Sequence, residues 1–119
     1  MNVAVLGASA KPARYSHQTM KLLAAHGHTV FPVNPAGGDF SGFPVYRCLS
    51  AITEPVHTIT VYLSAGNSTP LLDKIIAAKP RRVIFNPGAE NSMLAADLRQ
   101  HGIDVVEACT LVMLATNQF

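Results

Sequence analysis

Tryptophan is absent, cysteine occurs twice, and charged residues make up only 13% of the 119 positions. Cys48 and Cys109 stand far apart with no CxxC pair. That spacing excludes a disulfide framework and a thiolate zinc pattern, so two free thiols are expected. No apolar run approaches the roughly 20 residues of a membrane-spanning helix. The longest late run, Ala108 to Ala115, has eight. The amino terminus places no basic residue ahead of an apolar stretch, and Lys11 soon interrupts the small and apolar residues after it. A secretory leader is therefore not expected, and the cytoplasm is the expected compartment. The net charge of +2, with no basic stripe interleaved with aromatics, argues against a nucleic-acid partner. A small molecule is the expected ligand, with no membrane partner.

Charge is also missing unevenly. Residues 1–38 hold Lys11, Arg14 and Lys21 but no Asp or Glu, and all seven acidic residues follow from Asp39 onward. An anionic ligand is favoured near the amino-terminal third. What the chain does have is 49% hydrophobic residues with eight Gly and eight Pro. That composition suits one packed domain and rules out a disordered segment.

Periodicity predicts five strands: Val3–Leu6, Thr29–Val33, 58–63, 82–86 and 103–107. The first, an apolar run ending at Gly7, reads as buried on both faces. Ser16 is placed to cap a helix over about 17–26, with Tyr15 and Met20 as a hydrophobic staple and Met20, Leu23 and Ala24 inward. Thr69-Pro70 starts a second helix, packed through Leu71, Leu72, Ile75 and Ile76 and stopped by Pro80. Asn91 or Ser92 caps a third, with Leu94, Ala95 and Leu98 inward. His26-Gly27 and His101-Gly102 each close a helix just before a strand, a repeated strand-helix rhythm. Residues 34–57 are rich in turn formers and read as a loop-like crossover with one helical turn near Leu49–Ile52.

These elements predict an α/β domain, Rossmann-like, with a doubly wound parallel five-stranded sheet in the order 3-2-1-4-5. Pro32 resists that order, because it falls in an interior strand and proline removes a ladder donor. The expectation places it where pairing lapses near the strand's carboxyl end. Ligands of such sheets sit beyond the strand carboxyl ends where the winding reverses. In this order the reversal lies between the first and fourth strands, so Gly7-Ala8-Ser9 faces Asn86-Pro87-Gly88. The helix amino end near Ser16, with Lys11 and Arg14, favours an anion at the same place.

The first loop, GASAKPARYS, is not GxGxxG, and the second strand ends Val33-Asn34-Pro35 with no carboxylate for a ribose, so NAD fits poorly. No Gly-Lys-Ser/Thr occurs, which argues against P-loop phosphoryl transfer.

In order along the chain, VAVLGASAKPARYS, VFPVNP, GFPVY, a strand, VIFNPGAEN and VEACTLVML resemble the small CoA-binding domain family. Its relatives include the amino-terminal domain of the succinyl-CoA synthetase alpha subunit. The resemblance covers nearly the whole chain. It implies that coenzyme A or an acyl-CoA is held at Gly7, Ala8, Ser9, Lys11, Pro12, Arg14 and Ser16, at Val33, Asn34 and Pro35, and at Tyr62, Leu63 and Ser64. Asn86 and Gly88 join them from the facing loop. Two departures stand out. Relatives often carry a Lys after VNP, where this chain has Ala36-Gly37-Gly38, and the synthetase's paired prolines are replaced by Ser64-Ala65-Gly66. The synthetase's phosphorylated histidine lies in a second domain with no counterpart here, so ligation is not inherited.

Each residue also has a plainer reading. Gly7 serves a tight turn, Lys11 and Arg14 are solvated, Asn34, Asn86 and Asn91 form turns or caps, and Tyr62 is strand core. Cys109, after the fifth strand on the ligand side, is the candidate reactive thiol or else a small buried residue. His17, His26, His28, His57 and His101 lack metal-ligand spacing beyond His26-x-His28, so no metal is expected. Glu90 and Glu107 have no nucleophile or oxyanion partner, and no catalytic constellation is read. A stand-alone CoA-binding protein is the leading reading. The alternatives are a thiol-based redox or CoA-adduct protein using Cys109, and a homo-oligomer or non-catalytic subunit docking a partner through ACTLVMLATNQF.

Overall fold

Successive short strands of the sheet are joined by crossovers and so run parallel, and the inner strands Asn2–Leu6, Thr58–Val61 and Arg82–Phe85 bury nearly every residue on both faces. In the computed structural model, which describes residues 1–119, β1 (Asn2–Leu6), β2 (Thr29–Val33), β5 (Thr58–Val61), β6 (Arg82–Phe85) and β7 (Asp104–Glu107) form this sheet. A hairpin of β3 (Gly38–Phe40) and β4 (Phe43–Val45) stands apart. The helices are α1 (Tyr15–Ala25), α2 (Ala65–Ser68), α3 (Leu72–Ala78), α4 (Ser92–Gln100) and α5 (Thr110–Ala115), with 3₁₀ turns at Leu49–Ala51 and Thr69–Leu71. No helix is long and apolar enough to cross a membrane.

The sheet order is β2-β1-β5-β6-β7, which corrects the expected 3-2-1-4-5. The third sheet strand lies between the first and fourth, and the second lies at the edge. Burial and proline explain the exchange. All four residues of β5 are buried, as a central strand requires. Pro32 pairs in register with Val5, so pairing does not lapse there. Its carbonyl points outward, where it accepts the Tyr46 amide at 2.9 Å. In a parallel strand a residue's N–H and C=O point to the same side, so the missing donor faces away from β1. Asn34 N–H donates to Tyr46 O at 2.9 Å, which seats the segment after the hairpin on this outer edge.

Alternation along β1 divides the core. Val3 and Val5 pack with Met20 and Leu23 of α1 and Leu114 of α5. Ala4 and Leu6 join the larger cluster with Ile75, Leu94 and Leu98 on the opposite face. A fully buried Met or Leu side chain contributes about 2 kcal/mol here. The carboxyl-terminal segment is thus partly spent inside the fold. Leu114 is buried, and Phe119 meets His28 edge-on and lies under the Arg82 guanidinium.

Local chemistry moves several boundaries. Helix α1 begins at Tyr15 with Arg14 as N-cap and no side-chain cap, so Ser16 lies inside the first turn. Tyr15 is 71% exposed and staples nothing, and Ala24 faces solvent. Helical structure after β5 starts at Ala65, four residues ahead of Thr69, whose hydroxyl instead donates to Ala65 O at 2.9 Å. Asn91 caps α4 as expected, its Oδ1 accepting from Leu94 N at 3.1 Å.

At the opposite end of the sheet, Arg82 Nε donates to Thr58 Oγ1 at 2.9 Å. The same hydroxyl hydrogen-bonds His57 Nδ1 at 2.8 Å. Burial first, then the charges of Arg82 and Arg81, hold the His57 pKa below its ordinary 6.5. The unfolded chain then takes up the proton at higher pH than the folded one, so this stability is complete above about pH 6.5 and is lost as pH falls below it. Thermal unfolding from about pH 7.5 to about 5.5 is expected to show a falling midpoint, and His57→Gln to flatten the slope. An unchanged slope in the variant would assign the loss elsewhere.

Candidate functional site

The carboxyl ends of β1, β5 and β6 open into a cleft of about 490 Å³ that includes Gly7, Ser9, Lys11, Arg14, Ser16, Tyr62, Pro87 and Gly88 in its lining. With β5 inserted, the winding reverses between β1 and β5. The first loop and the Pro87-Gly88 loop still face one another, with Tyr62 between them.

Gly7 lets the chain leave β1. Its φ of +82° belongs to the left-handed region, and a Cβ there would lie 3.1 Å from the Tyr62 backbone carbon. Glycine is favoured by conformation, and the tight approach adds to that preference. The loop is then tied down. Ala8 N–H donates to Val33 O at 3.2 Å, and Asn34 Nδ2 donates to Ala8 O at 2.9 Å. His17, buried within α1, donates from Nδ1 to Ser9 O at 2.7 Å, and its Nε2 lies 3.1 Å from Ser41 Oγ on the hairpin turn. Because a carbonyl only accepts, Nδ1 carries the proton of that bond.

Helix α1 reaches the cleft with its first amides unserved. Arg14 offers no capping oxygen, and the first turn contains no acid, so the helix start is electropositive and Lys11 and Arg14 add to it. Gly88 differs, since its amide donates to Glu90 Oε1 at 2.9 Å.

The predicted residues fall on two sides of the first loop. Gly7, Ala8, Val33, Asn34, Pro35 and Leu63 line a second cavity of about 560 Å³. Sequence reasoning missed three polar residues there: Arg47, Asn67 and Lys74. The signal for Arg47 was available, because it is the sole Lys or Arg between Lys21 and Lys74. Tyr62, Asn86 and Cys109 line a third cavity, of about 410 Å³, with Tyr15, Pro87, Leu111 and Val112. Pro12 and Ser64 line none of the three.

Tyr62 hydrogen-bonds Thr19 through its hydroxyl, and burial raises its pKa. Asn86 is buried with its polar atoms engaged. Nδ2 donates to Thr60 Oγ1 at 2.7 Å and Val61 O at 3.0 Å, and Oδ1 accepts from Thr110 N at 2.8 Å. It pins the start of α5 to the sheet. Cys109 is half-buried and Cys48 exposed. The thiol with the lowered pKa is Cys48, chiefly through its hydrogen bond with the Ser50 hydroxyl.

Residues 1–115 match the family model described as CoA binding domain. The chain belongs to the CoA-binding domain family. Family membership supports coenzyme A binding as the general role. A crystal structure described as an uncharacterized protein shares 37% identity at a TM-score of 0.93, with 99% of this chain and 97% of that one covered. Cell-free ID.343 from Thermus thermophilus shares 30% identity at a TM-score of 0.90, covering 99% and 90%. The dinucleotide-forming acetyl-coenzyme A synthetase 1 of Ca. Korarchaeum cryptofilum, at 20% identity and a TM-score of 0.77, shares the fold over 90% of this chain and 25% of its own.

Proposed function

We propose that residues 1–119 act as one stand-alone CoA-binding domain, taking coenzyme A or an acyl-CoA at the carboxyl end of the sheet. The ligand's diphosphate lies across Gly7, Ala8 and Ser9, against Lys11, Arg14 and the first amides of α1 at Tyr15, Ser16 and His17. The nucleoside lies on the Val33-Asn34-Pro35 side, with Leu63. The pantetheine arm runs past Tyr62 and Pro87 toward Leu111 and Cys109, where the apolar cavity takes the thiol end or an acyl group. Asn86 acts by holding α5, and Gly88 as cleft wall, since Glu90 already takes its amide.

The observation that carries this reading is the uncapped, acid-free start of α1 beside Lys11 and Arg14, facing a loop whose Gly7 packs tightly on the backbone of Tyr62. Backbone donors and the neighbouring Lys11 and Arg14 cations suit a diphosphate, and the family supplies coenzyme A as its carrier. No nucleophile is paired with a base, so the reading is binding and delivery.

Thermal unfolding and calorimetric titration test it. Coenzyme A at about 100 times its dissociation constant is expected to stabilise the fold by about 2.7 kcal/mol, a rise of roughly 10 °C for a domain of this size. Arg14→Ala is expected to weaken binding about fivefold at low salt, and less as salt rises. Absence of any shift with coenzyme A would sink the proposal, and an unchanged affinity in Arg14→Ala at low salt would remove the phosphate assignment.

A further inference from the structure

The site has two cationic poles, and the diphosphate accounts for one. On the other side of the Gly7–Ser9 loop, the cavity behind Pro35 carries Arg47 and Lys74 in its wall and no carboxylate. Its remaining surface is largely aliphatic, from Leu6, Val33, Leu63 and Leu71.

Arg47 is built into place. It follows β4, and the parallel bridge between Val33 and Tyr46 fixes that segment against the end of β2. Its Nη1 donates to Pro35 O at 3.2 Å, and its side chain lies across Gly37, where a Cβ would come within 3.0 Å of Nε. Glycine at 37 therefore leaves room for the Arg47 side chain close to the chain just after Val33-Asn34-Pro35. One bond to a carbonyl leaves most of the five guanidinium N–H donors free, in the planar fork that matches phosphate.

We infer that Arg47 and Lys74 form a second phosphate clamp, separate from Lys11 and Arg14, that reads the 3′-phosphate of the ligand's adenosine and so separates coenzyme A from nucleotides bearing only a 5′-diphosphate. This rests on the proposed CoA reading and deepens it. A ligand spanning the loop puts one anion at each pole and its apolar base over the aliphatic floor between them. Adenosine with a 3′-phosphate and a 5′-diphosphate has that distribution, and dephospho-CoA lacks the second anion. Arg47 acts as a specificity-determining residue, and Lys74 as a flexible point charge beside it.

The test titrates wild type, Arg47→Ala, Arg47→Lys and Lys74→Ala with coenzyme A and with dephospho-CoA. Wild type is expected to prefer coenzyme A by about tenfold or more. Arg47→Ala is expected to lose most of that preference by weakening coenzyme A alone, and Arg47→Lys and Lys74→Ala to give intermediate ratios. Arg47 and Lys74 are exposed, so the unliganded midpoints should stay near wild type, and that measurement guards against misfolding. Equal affinity of wild type for the two ligands would overturn the clamp while leaving the CoA reading standing. A preference that survives both alanine variants would place the 3′-phosphate elsewhere. Binding of neither ligand would remove the CoA reading and the clamp with it.

Discussion

Gly7→Ala is expected to lower the unfolding midpoint by roughly 10 °C and to weaken coenzyme A binding by about tenfold or more. The φ of +82° costs an L-residue about 1–2 kcal/mol, and a new Cβ would press on the Tyr62 carbonyl carbon at 3.1 Å and its oxygen at 3.2 Å. Those atoms follow the central strand β5 and cannot swing aside as a side-chain tip would, so overpacking adds about 1–3 kcal/mol. Any relief must come from the loop. That would move Ala8 and Ser9, which Val33, Asn34 and His17 hold by hydrogen bonds. Stability and ligand affinity should therefore fall together. Gly102→Ala is the control. Its φ is also positive, but a Cβ there would meet nothing within 4 Å, so a loss of about 1 kcal/mol with ligand binding intact is expected. If Gly7→Ala unfolds within a few degrees of wild type and binds coenzyme A normally, the close approach at Gly7 is not what shapes the site.

Asn86→Ala is expected to cost about 3 kcal/mol, again roughly 10 °C in midpoint. The substitution removes two donated bonds and one accepted bond, and leaves the buried Thr110 amide without its partner. Thr60 keeps its contact with the Thr110 hydroxyl at 2.9 Å, so α5 is loosened rather than released. Asn86→Asp keeps the acceptor for Thr110 N but loses both donors and sets a carboxylate beside Val61 O, so it should be no better tolerated. Because the Gly7 loop makes no bond to Asn86, coenzyme A affinity measured well below the midpoint should change by less than about threefold. A large loss of affinity with normal stability would reverse the assignment and make Asn86 a ligand contact.

These two residues show why some of the site was legible and some was not. A lone glycine after a buried strand, followed by Lys11 and Arg14 without any acid, is a local pattern, and the proposed phosphate loop is read from it. For Asn86 the sequence offers two readings with no means of choosing, since an asparagine after a strand serves a turn, a ligand or a tether equally well. Its role depends on Thr60 and Thr110, which are 26 and 24 positions away. Ser16 was misplaced by a local rule, because a serine before an amphipathic run usually caps it. Here the helix starts earlier and its start has no side-chain cap, a feature that the proposed site uses.

The strand order was misjudged for a related reason. Right-handed crossovers permit both orders, and the pattern of apolar residues identifies buried strands without saying which are neighbours. Pro32 held the missing information, because a donorless residue belongs at an edge, and the edge position of β2 satisfies that rule without any lapse in pairing.

By itself, then, the sequence determined the α/β alternation, the apolar strands, the acid-free basic stretch around the first loop and the motifs of a CoA-binding domain, since all of these are carried by neighbours along the chain. Tertiary structure alone decided that β5 enters the centre, that His17 and Asn34 lock the first loop, and that Arg47 is carried on the crossover to the side of the loop opposite Lys11 and Arg14. Each of those depends on groups distant in sequence meeting through packing and hydrogen bonds, and local pattern does not encode such meetings.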